Sequence, residues 1–180
     1  MSEQLLPGYY IRRGSTLERS LLVKFMQRTY QYLFPEQDFA HLARTVEQYL
    51  SNDTPLWWVD FEGAGEYKNP NFSSASPPLR PSAPLPVACL WVGNAIDQVQ
   101  GDRHAHIFLL FVEPEHRRRG IGTALLRYLE NWATQRGDRQ IGLQVFQSNQ
   151  AALNLYNQLG YQTQSLWMVK SLHINKETGA

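Results

Sequence analysis

Cysteine is almost absent from the sequence, since Cys89 is the only one among 180 residues. A disulfide within the chain is therefore excluded. The sequence also has no uninterrupted apolar run near the ~20 residues that a membrane-spanning helix needs. Its first residues lack the basic start and apolar stretch of a secretory signal. From these absences we expect a soluble, cytoplasmic protein with no membrane partner.

An excess of charge of one sign is missing as well. The chain has 17 basic and 16 acidic side chains, whereas a nucleic-acid-binding domain usually carries a clear basic excess. We therefore expect no nucleic-acid partner. The composition is that of a globular protein, with 43% hydrophobic and 12% aromatic residues, and the length suits one domain. We predict a single domain over residues 1–180, with residues 173–180 as a C-terminal tail.

Residues 62–86 differ in composition from the sequence on either side. They hold six of the ten prolines, together with glycines and serines, and they show no apolar periodicity. This composition predicts a long exposed loop within the domain. The simplest interpretation is a tolerated insertion between two strands. The alternative is a lid over a binding site, because long loops often carry function.

Apolar periodicity predicts strands and helices that alternate along much of the chain. We expect helices over residues 17–33, 39–50, 120–135 and 150–159. We expect strands over residues 9–13, 56–59, 87–93, 107–112 and 141–146, with one or two closing strands in 161–172. Residues 107–112 are apolar throughout, as in a strand buried on both faces. These elements predict a mixed α/β fold.

An arginine-rich turn follows this apolar strand and ends in a pair of glycines at a predicted helix start. Its sequence is Arg117-Arg118-Arg119-Gly120-Ile121-Gly122-Thr123. The first backbone N–H groups of a helix lack partners and carry partial positive charge. Gly120 and Gly122 would let an anion approach the main chain, and the arginines add charge-assisted hydrogen bonds. The turn is a candidate pyrophosphate site, although alone it would also fit a solvated helix start.

A second motif lies downstream, in the run Asn149-Gln150-Ala151-Ala152-Leu153-Asn154-Leu155-Tyr156-Asn157-Gln158-Leu159-Gly160-Tyr161. The two motifs in this order resemble the acetyl-CoA signature Arg-x-x-Gly-x-Gly and the Asn-x-x-Ala-x-x-x-Tyr-x-x-x-Gly-Tyr signature of GNAT superfamily N-acetyltransferases. The resemblance is sharp from about His104 to Tyr161 and weak before Val87. It implies a mixed, mostly antiparallel sheet with helices on both faces. The sheet would be splayed between its fourth strand, residues 107–112, and its fifth, residues 141–146.

The resemblance implies acetyl-CoA as the acyl donor and no metal. The pantetheine arm would lie in the splay and pair with the backbone of Leu110, Phe111 and Val112. One of those N–H groups would polarise the thioester carbonyl. Residues 117–123 would hold the pyrophosphate, and Asn149 would contact the arm. The acceptor would be an amine of a small molecule, peptide or protein, and a homodimer is possible because family members often dimerise.

Tyr156 matches the tyrosine that often protonates the departing thiolate in this family. A phenol has a reference pKa of about 10, so it is protonated at neutral pH and can act as an acid. The alternative is a core aromatic, because Tyr156 also lies on an apolar helical stripe.

The general base stays open between His106 and Glu113. His106 lies eleven residues before Arg117, at the spacing where some family members carry their base. Others use a glutamate on the fifth strand, but that position here is Gln144. Glu113 follows the fourth strand directly and would otherwise only mark its end. His104 faces the same side as His106 and could relay protons.

Two further observations bear on mechanism. Cys89 lies in an apolar strand, where a buried inert thiol is common, so we expect direct attack of the amine on the thioester in a ternary complex. Freeing a lysine amine at pH 7 costs roughly 4–5 kcal/mol, against about 1–1.5 for an α-amine, so weak base provision favours an α-amine. The alternative function is a CoA-binding sensor or interaction module without catalysis.

Overall fold

A computed structural model describes residues 2–62 and 86–172 of the chain. The predicted loop at 62–86, apart from its two end residues, and the predicted tail at 173–180 lie outside these ranges. The helices are α1 (Arg19–Leu33), α2 (Leu42–Tyr49), α3 (Ile121–Arg136) and α4 (Gln150–Gln158). The strands are β1 (Ser2–Leu6), β2 (Tyr9–Arg13), β3 (Leu56–Phe61), β4 (Ala88–Ile96), β5 (Arg103–Val112) and β6 (Ile141–Leu143).

The strands form one six-stranded sheet in the order β1-β2-β3-β4-β5-β6. Every neighbouring pair is antiparallel except β5 and β6, which are parallel. The expectation of a mixed, mostly antiparallel sheet is therefore confirmed. The strand predicted at residues 9–13 is the second in the sheet, because β1 precedes it. The predicted fourth and fifth strands consequently correspond to β5 and β6.

Helices cover both faces of the sheet, and each face has its own apolar cluster. On one face, Leu125 and Leu129 of α3 and Tyr156 of α4 pack with sheet residues such as Ile107. On the other face, α1 and α2 pack against Trp58, Trp91, Leu109 and Phe111. The sheet is therefore buried on both sides, as the apolar run at 107–112 predicts.

β5 and β6 pair only where residues 105–107 face residues 141–143. β6 ends at Leu143, shorter than the predicted 141–146, whereas β5 continues to Val112. The edge of β5 at residues 108–112 therefore has no strand beside it in the described chain. We call this opening the splay. It lies between the two strands where the resemblance predicts it.

A β-bulge on β5 lies at the start of the splay. Trp91 of β4 pairs with Leu109 while its neighbour Val92 pairs with Ile107, so Phe108 is the extra residue. The ring of Phe108 lies across Gly93, where a Cβ atom would be 2.2 Å from Phe108 Cε2. Glycine at position 93 therefore leaves the space that this ring occupies. A bulge bends its strand, and this bend also needs room.

Residues 161–172 form no strand, so the prediction of one or two closing strands there is wrong. The residue types favour a strand, but a strand also needs a neighbour to satisfy its backbone N–H and C=O groups. In the described chain, residues 161–172 pair with no strand, although the outer edge of β6 is free. β6 is consequently the last strand of the sheet on this side within residues 2–62 and 86–172.

Candidate active site

The arginine-rich turn joins the end of β5 to the start of α3, at the open end of the splay. A short 3-10 helix, Pro114–His116, leads into it. Arg118 then has φ 61° and Gly120 has φ 82°, both in the left-handed region that favours glycine. Among the described residues, no side chain caps α3. The N–H groups of residues 121–123 therefore lack partners within the helix and stay available to an anionic ligand.

Gly122 has a packing role that its sequence context does not reveal. A Cβ atom on Gly122 would lie 3.1 Å from Cδ2 of Leu155 in α4. Glycine at this position leaves room for the Leu155 side chain at the start of α3. A larger residue at position 122 would require that side chain to shift, whether or not a ligand binds there.

The three arginines of the turn point in different directions. Arg117 donates from Nε to the carbonyl oxygen of Val112 at 2.9 Å, and its guanidinium lies 4.4 Å from the ring centre of Tyr32. Arg119 donates to the hydroxyl of Tyr9 at 3.1 Å. Arg118 is exposed, and its side chain makes no hydrogen bond or ion pair with the part of the chain that the structure describes. Its charge and its N–H donors are therefore available to a ligand.

The register of β4 and β5 decides which backbone groups face the splay. The N–H of Glu113 donates to the carbonyl of Val87 at 2.8 Å. Because hydrogen-bonded and non-hydrogen-bonded pairs alternate in an antiparallel ladder, the N–H and C=O of Phe111 also face β4. Those of Leu110 and Val112 face the splay. Of the three predicted backbone contacts, Leu110 and Val112 fit the geometry, and Phe111 does not.

Tyr156 lies on α4, buried on the α3/α4 face of the sheet. Burial raises its pKa to about 12, so the phenol is protonated at neutral pH. Its ring centre lies 5.5 Å from that of Tyr161. Asn149 begins the same helix, and its Oδ1 accepts from the N–H of Ala152 at 3.2 Å. This capping bond leaves the side-chain NH2 group of Asn149 to donate elsewhere.

His106 lies on the opposite, α1/α2 face, next to His104. A Cβ atom on Gly142 of β6 would lie 3.3 Å from Nδ1 of His106 and 3.0 Å from Nε2 of His104. Glycine at position 142 thus leaves space for both rings. Burial, and then the nearby His104, lower the pKa of His106, which keeps the ring neutral at pH 7. Its pairing with Gly142 places it at the closed end of the splay.

His104 connects this pair to the protein surface. Its Nδ1 lies 3.4 Å from Nε2 of Gln140. The same Nε2 donates to a carboxylate oxygen of Asp97 at 2.8 Å, in an exposed contact. The two histidines therefore form a short polar path from the splay toward solvent.

Glu113 lies at the other end of the splay and forms an ion pair with Arg28 of α1. It lies seven positions after His106 along the chain, which corresponds to about 23 Å in a strand that rises ~3.3 Å per residue. Glu113 and His106 therefore cannot act on the same proton. A cleft of about 300 Å³ beside Glu113 is lined by charges of both signs, including Lys24 and Glu115, so Glu113 stays an alternative base.

Sequence reasoning missed the part that α1 plays at this end. Arg28 and Tyr32 lie one helical turn apart on α1 and contact Glu113 and Arg117 respectively. The i, i+4 spacing indicates a shared helix face, but only the tertiary structure shows what that face meets.

The thiol of Cys89 is fully buried, and burial raises its pKa. It therefore has the properties of an inert thiol.

Residues 82–161 match a protein-family model described as the Acetyltransferase (GNAT) family. Over these 80 of its 180 residues, the chain has the sequence of a GNAT-family acetyltransferase. Its sheet, with a parallel β5–β6 pair that opens into the splay, has the GNAT fold. None of the described helices is long and apolar enough to cross a bilayer. The described residues also contain no group of three or more potential metal ligands.

The relatives agree with this assignment. The chain is 42% identical over 67 residues to [ribosomal protein bS18]-alanine N-acetyltransferase of Escherichia coli K12, covering 37% of this chain and 45% of the relative. It is 36% identical over 74 residues to an uncharacterized N-acetyltransferase of Methanocaldococcus jannaschii, covering 41% and 31% respectively. It thus spans less than half the length of these curated relatives. A predicted acetyltransferase of Clostridium acetobutylicum, solved with acetyl-CoA, shares the fold with a TM-score of 0.65, 20% identity, and coverage of 91% of this chain and 96% of that one.

The exposed Arg118 gives a direct test of the turn. Arg118→Gln should weaken the binding of acetyl-CoA about tenfold or more, because a hydrogen bond to a charged group contributes ~1.5–3 kcal/mol. Titration calorimetry would measure the Kd. The matched control is Arg127→Gln, which removes the same charge from an exposed position on α3. Equal Kd values for the two variants would contradict the role of Arg118.

Proposed function

We propose that the chain transfers the acetyl group of acetyl-CoA to an amine by direct attack in a ternary complex. The observation that carries this proposal is the splay, which continues into the uncapped start of α3. Backbone groups of Leu110 and Val112 and the free N–H groups of residues 121–123 line this path. The likeness to a structure solved with acetyl-CoA supports it.

In this proposal the cofactor lies along the edge of β5. The pyrophosphate would bind Arg118 and the N–H groups at the start of α3, where anions are stabilised. Since the thioester is at the other end of the pantetheine arm, it would lie deeper in the splay, near Leu110. The N–H of Leu110 would then polarise the thioester carbonyl. Arg117 already donates to the Val112 carbonyl, and Asn149 would donate to the arm.

Acid and base would act from opposite faces of the sheet. The amine would attack the carbonyl carbon from the α1/α2 face and lose its proton to His106. As the carbon–sulfur bond breaks, the thiolate would take a proton from Tyr156 on the α3/α4 face. Protonating a thiolate of pKa about 8.5 from a phenol of pKa about 12 is uphill by ~5 kcal/mol. Tyr156 would therefore first donate a hydrogen bond to the sulfur and complete the transfer as the charge develops.

We propose an α-amine of a peptide or protein as the acceptor. The lowered pKa of His106 makes it a weak base. A weak base suits an α-amine, which costs about 1–1.5 kcal/mol to deprotonate at pH 7, and not a lysine amine, which costs ~4–5 kcal/mol. One relative is named for an alanine of a ribosomal protein, and the amine of an amino acid backbone is an α-amine.

We further propose that the chain acts as one domain in the cytoplasm, whose reducing conditions suit a free Cys89.

The release of free thiol from acetyl-CoA tests this function. A lysine-free peptide with an unblocked N-terminal alanine should release thiol. The same peptide, N-terminally acetylated and carrying one lysine, should release at least tenfold less, because its amine is harder to deprotonate. Acetyl-CoA binding without thiol release on any amine would contradict the proposal and indicate a CoA-binding sensor instead.

Tyr156→Phe should lower kcat by about 10²–10⁴ if the hydroxyl supplies the proton. The Kd for acetyl-CoA should change little, because the buried ring is kept. Tyr161→Phe is the matched control, since the Tyr161 hydroxyl is also buried and has no hydrogen-bond partner in the described chain. An unchanged kcat in Tyr156→Phe, measured where chemistry limits the rate, would assign Tyr156 to packing alone.

His106 should give kcat/KM a pH dependence that His106→Gln removes. The pKa of His106 lies below its ordinary value, so kcat/KM should rise through a limb on the acid side of the usual histidine range. The limb of an α-amine near 7.7–8.0 should remain in both proteins. His104→Gln should affect the rate less, and His116→Gln is the control at the far end of the splay. If His106→Gln keeps the acid limb, the next variant is Glu113→Gln.

A further inference from the structure

The arginine-rich turn is connected to a residue from a distant part of the chain. Tyr9 of β2 is buried, with 5% of its surface exposed. Its hydroxyl lies 3.0 Å from Nδ1 of His116 and accepts a hydrogen bond from Nη1 of Arg119 at 3.1 Å. His116 and Arg119 stand on either side of Arg117 and Arg118 in the sequence. One hydroxyl thus links both ends of this part of the turn to the sheet.

The direction of these hydrogen bonds follows from the groups involved. A guanidinium can only donate, so the Tyr9 oxygen accepts from Arg119. The hydroxyl proton is then free to point at Nδ1 of His116, which accepts it when the imidazole is neutral. Burial, and then the charge of Arg119, lower the pKa of His116, and both effects favour the neutral ring at pH 7. Arg119, Tyr9 and His116 therefore form one directional chain of hydrogen bonds.

Aromatic packing fixes the position of the Tyr9 hydroxyl. Phe61 of β3 pairs with Tyr9, and its ring centre lies 4.9 Å from that of Tyr9 and 5.0 Å from that of His116. The rings of Tyr9 and His116 meet edge to face at 5.7 Å. A phenylalanine at position 9 would supply the same ring for these contacts. The hydroxyl is the part of Tyr9 that ring packing does not need, and a buried tyrosine hydroxyl requires polar partners, which it finds here at the turn.

The turn needs such support because its backbone is strained. Arg118 has φ 61°, and a side chain in the left-handed region persists only where the surrounding structure holds it there. The residues on both sides of Arg118 are held by their side chains. Arg117 donates to the carbonyl of Val112, and Arg119 donates to Tyr9. These bonds keep the guanidinium of Arg118 and the first N–H groups of α3 in fixed positions before a ligand arrives.

We propose that Tyr9 is a positioning residue for the pyrophosphate of acetyl-CoA, acting through its hydroxyl on the arginine-rich turn. The identity of this ligand rests on the proposed function. A turn that already has its binding shape loses less conformational freedom when the anion binds, so its affinity is higher. The hydroxyl also orients Arg119, whose other N–H donors stay free for phosphate oxygens. Tyr9 lies outside residues 82–161, which match the family model, so the matched region contains the turn and not this support.

Tyr9→Phe tests the proposal, because it removes the hydroxyl and keeps the ring. In titration calorimetry the Kd for acetyl-CoA should rise about tenfold, as expected when a hydrogen bond to a charged group is lost. Tyr10→Phe is the matched control, since the Tyr10 hydroxyl on the same strand donates to Glu62 in an exposed contact at 3.0 Å. The control should keep the wild-type Kd. An unchanged Kd in Tyr9→Phe, or an equal rise in Tyr10→Phe, would overturn the proposal.

A donor without the pyrophosphate distinguishes positioning from a general loss of structure. S-acetylpantetheine has the thioester and the arm of acetyl-CoA but ends before the pyrophosphate. In Tyr9→Phe, kcat/KM for acetyl-CoA should fall about tenfold, whereas kcat/KM for S-acetylpantetheine should not change. Equal losses with the two donors would assign Tyr9 to packing alone and overturn the proposal.

Amide hydrogen exchange in the ligand-free protein tests the support without a cofactor. The N–H groups of His116 and Arg117 donate to carbonyls at the start of the turn, and they are protected only while it keeps its shape. Their exchange should become about fivefold faster in Tyr9→Phe, as expected from the loss of one hydrogen bond. The hydrogen-bonded N–H of Val92 in β4 should exchange at the wild-type rate, which reports an intact fold.

Unchanged exchange of His116 and Arg117 in Tyr9→Phe would overturn the proposal. A wild-type chain that binds no acetyl-CoA would contradict the proposed function. Faster exchange at the turn in Tyr9→Phe would then still support the link between Tyr9 and the turn, so the two can fail independently.

Discussion

The short parallel pairing between β5 and β6 is the constraint on which the candidate site depends. Only residues 105–107 and 141–143 pair, and β5 then continues with β4 as its one strand neighbour in the described chain. Backbone groups that β5 turns toward the splay have no strand to pair with, and only the Val112 carbonyl is reached by Arg117. A buried N–H or C=O without a partner is costly. The antiparallel register with β4 selects Leu110 and Val112 for this position. An extended ligand with amide groups, lying where a strand is absent, would satisfy them as a strand does.

The same constraint separates the two proton-transfer groups. His106 lies on one face of the sheet and Tyr156 on the other, and the splay is the opening that connects the two faces. Burial lowers the pKa of His106 and raises that of Tyr156. Both shifts favour the neutral forms at pH 7, namely a base able to accept a proton and an acid that still holds one. The site therefore buries no unpaired charge at either position, which limits the cost of building it.

What could be predicted from the sequence is what depends on local chemistry. The buried strand and the glycine at a helix start follow from residue types and spacing. The structure adds what depends on tertiary contacts. The side chain of Leu155 limits the space at Gly122. The register with β4 determines which way the backbone of Phe111 faces. Helix α1 supplies the side chains that contact Glu113 and Arg117. None of these can be obtained from one segment alone, because each needs the position of a second element.

The segment of residues 165–172 shows the same limit in another form. Its apolar residue types favour a strand, but the described chain forms none there. Residue types specify the burial that a segment needs and not which neighbour provides it. The described chain leaves this need unmet on a segment that borders an open sheet edge.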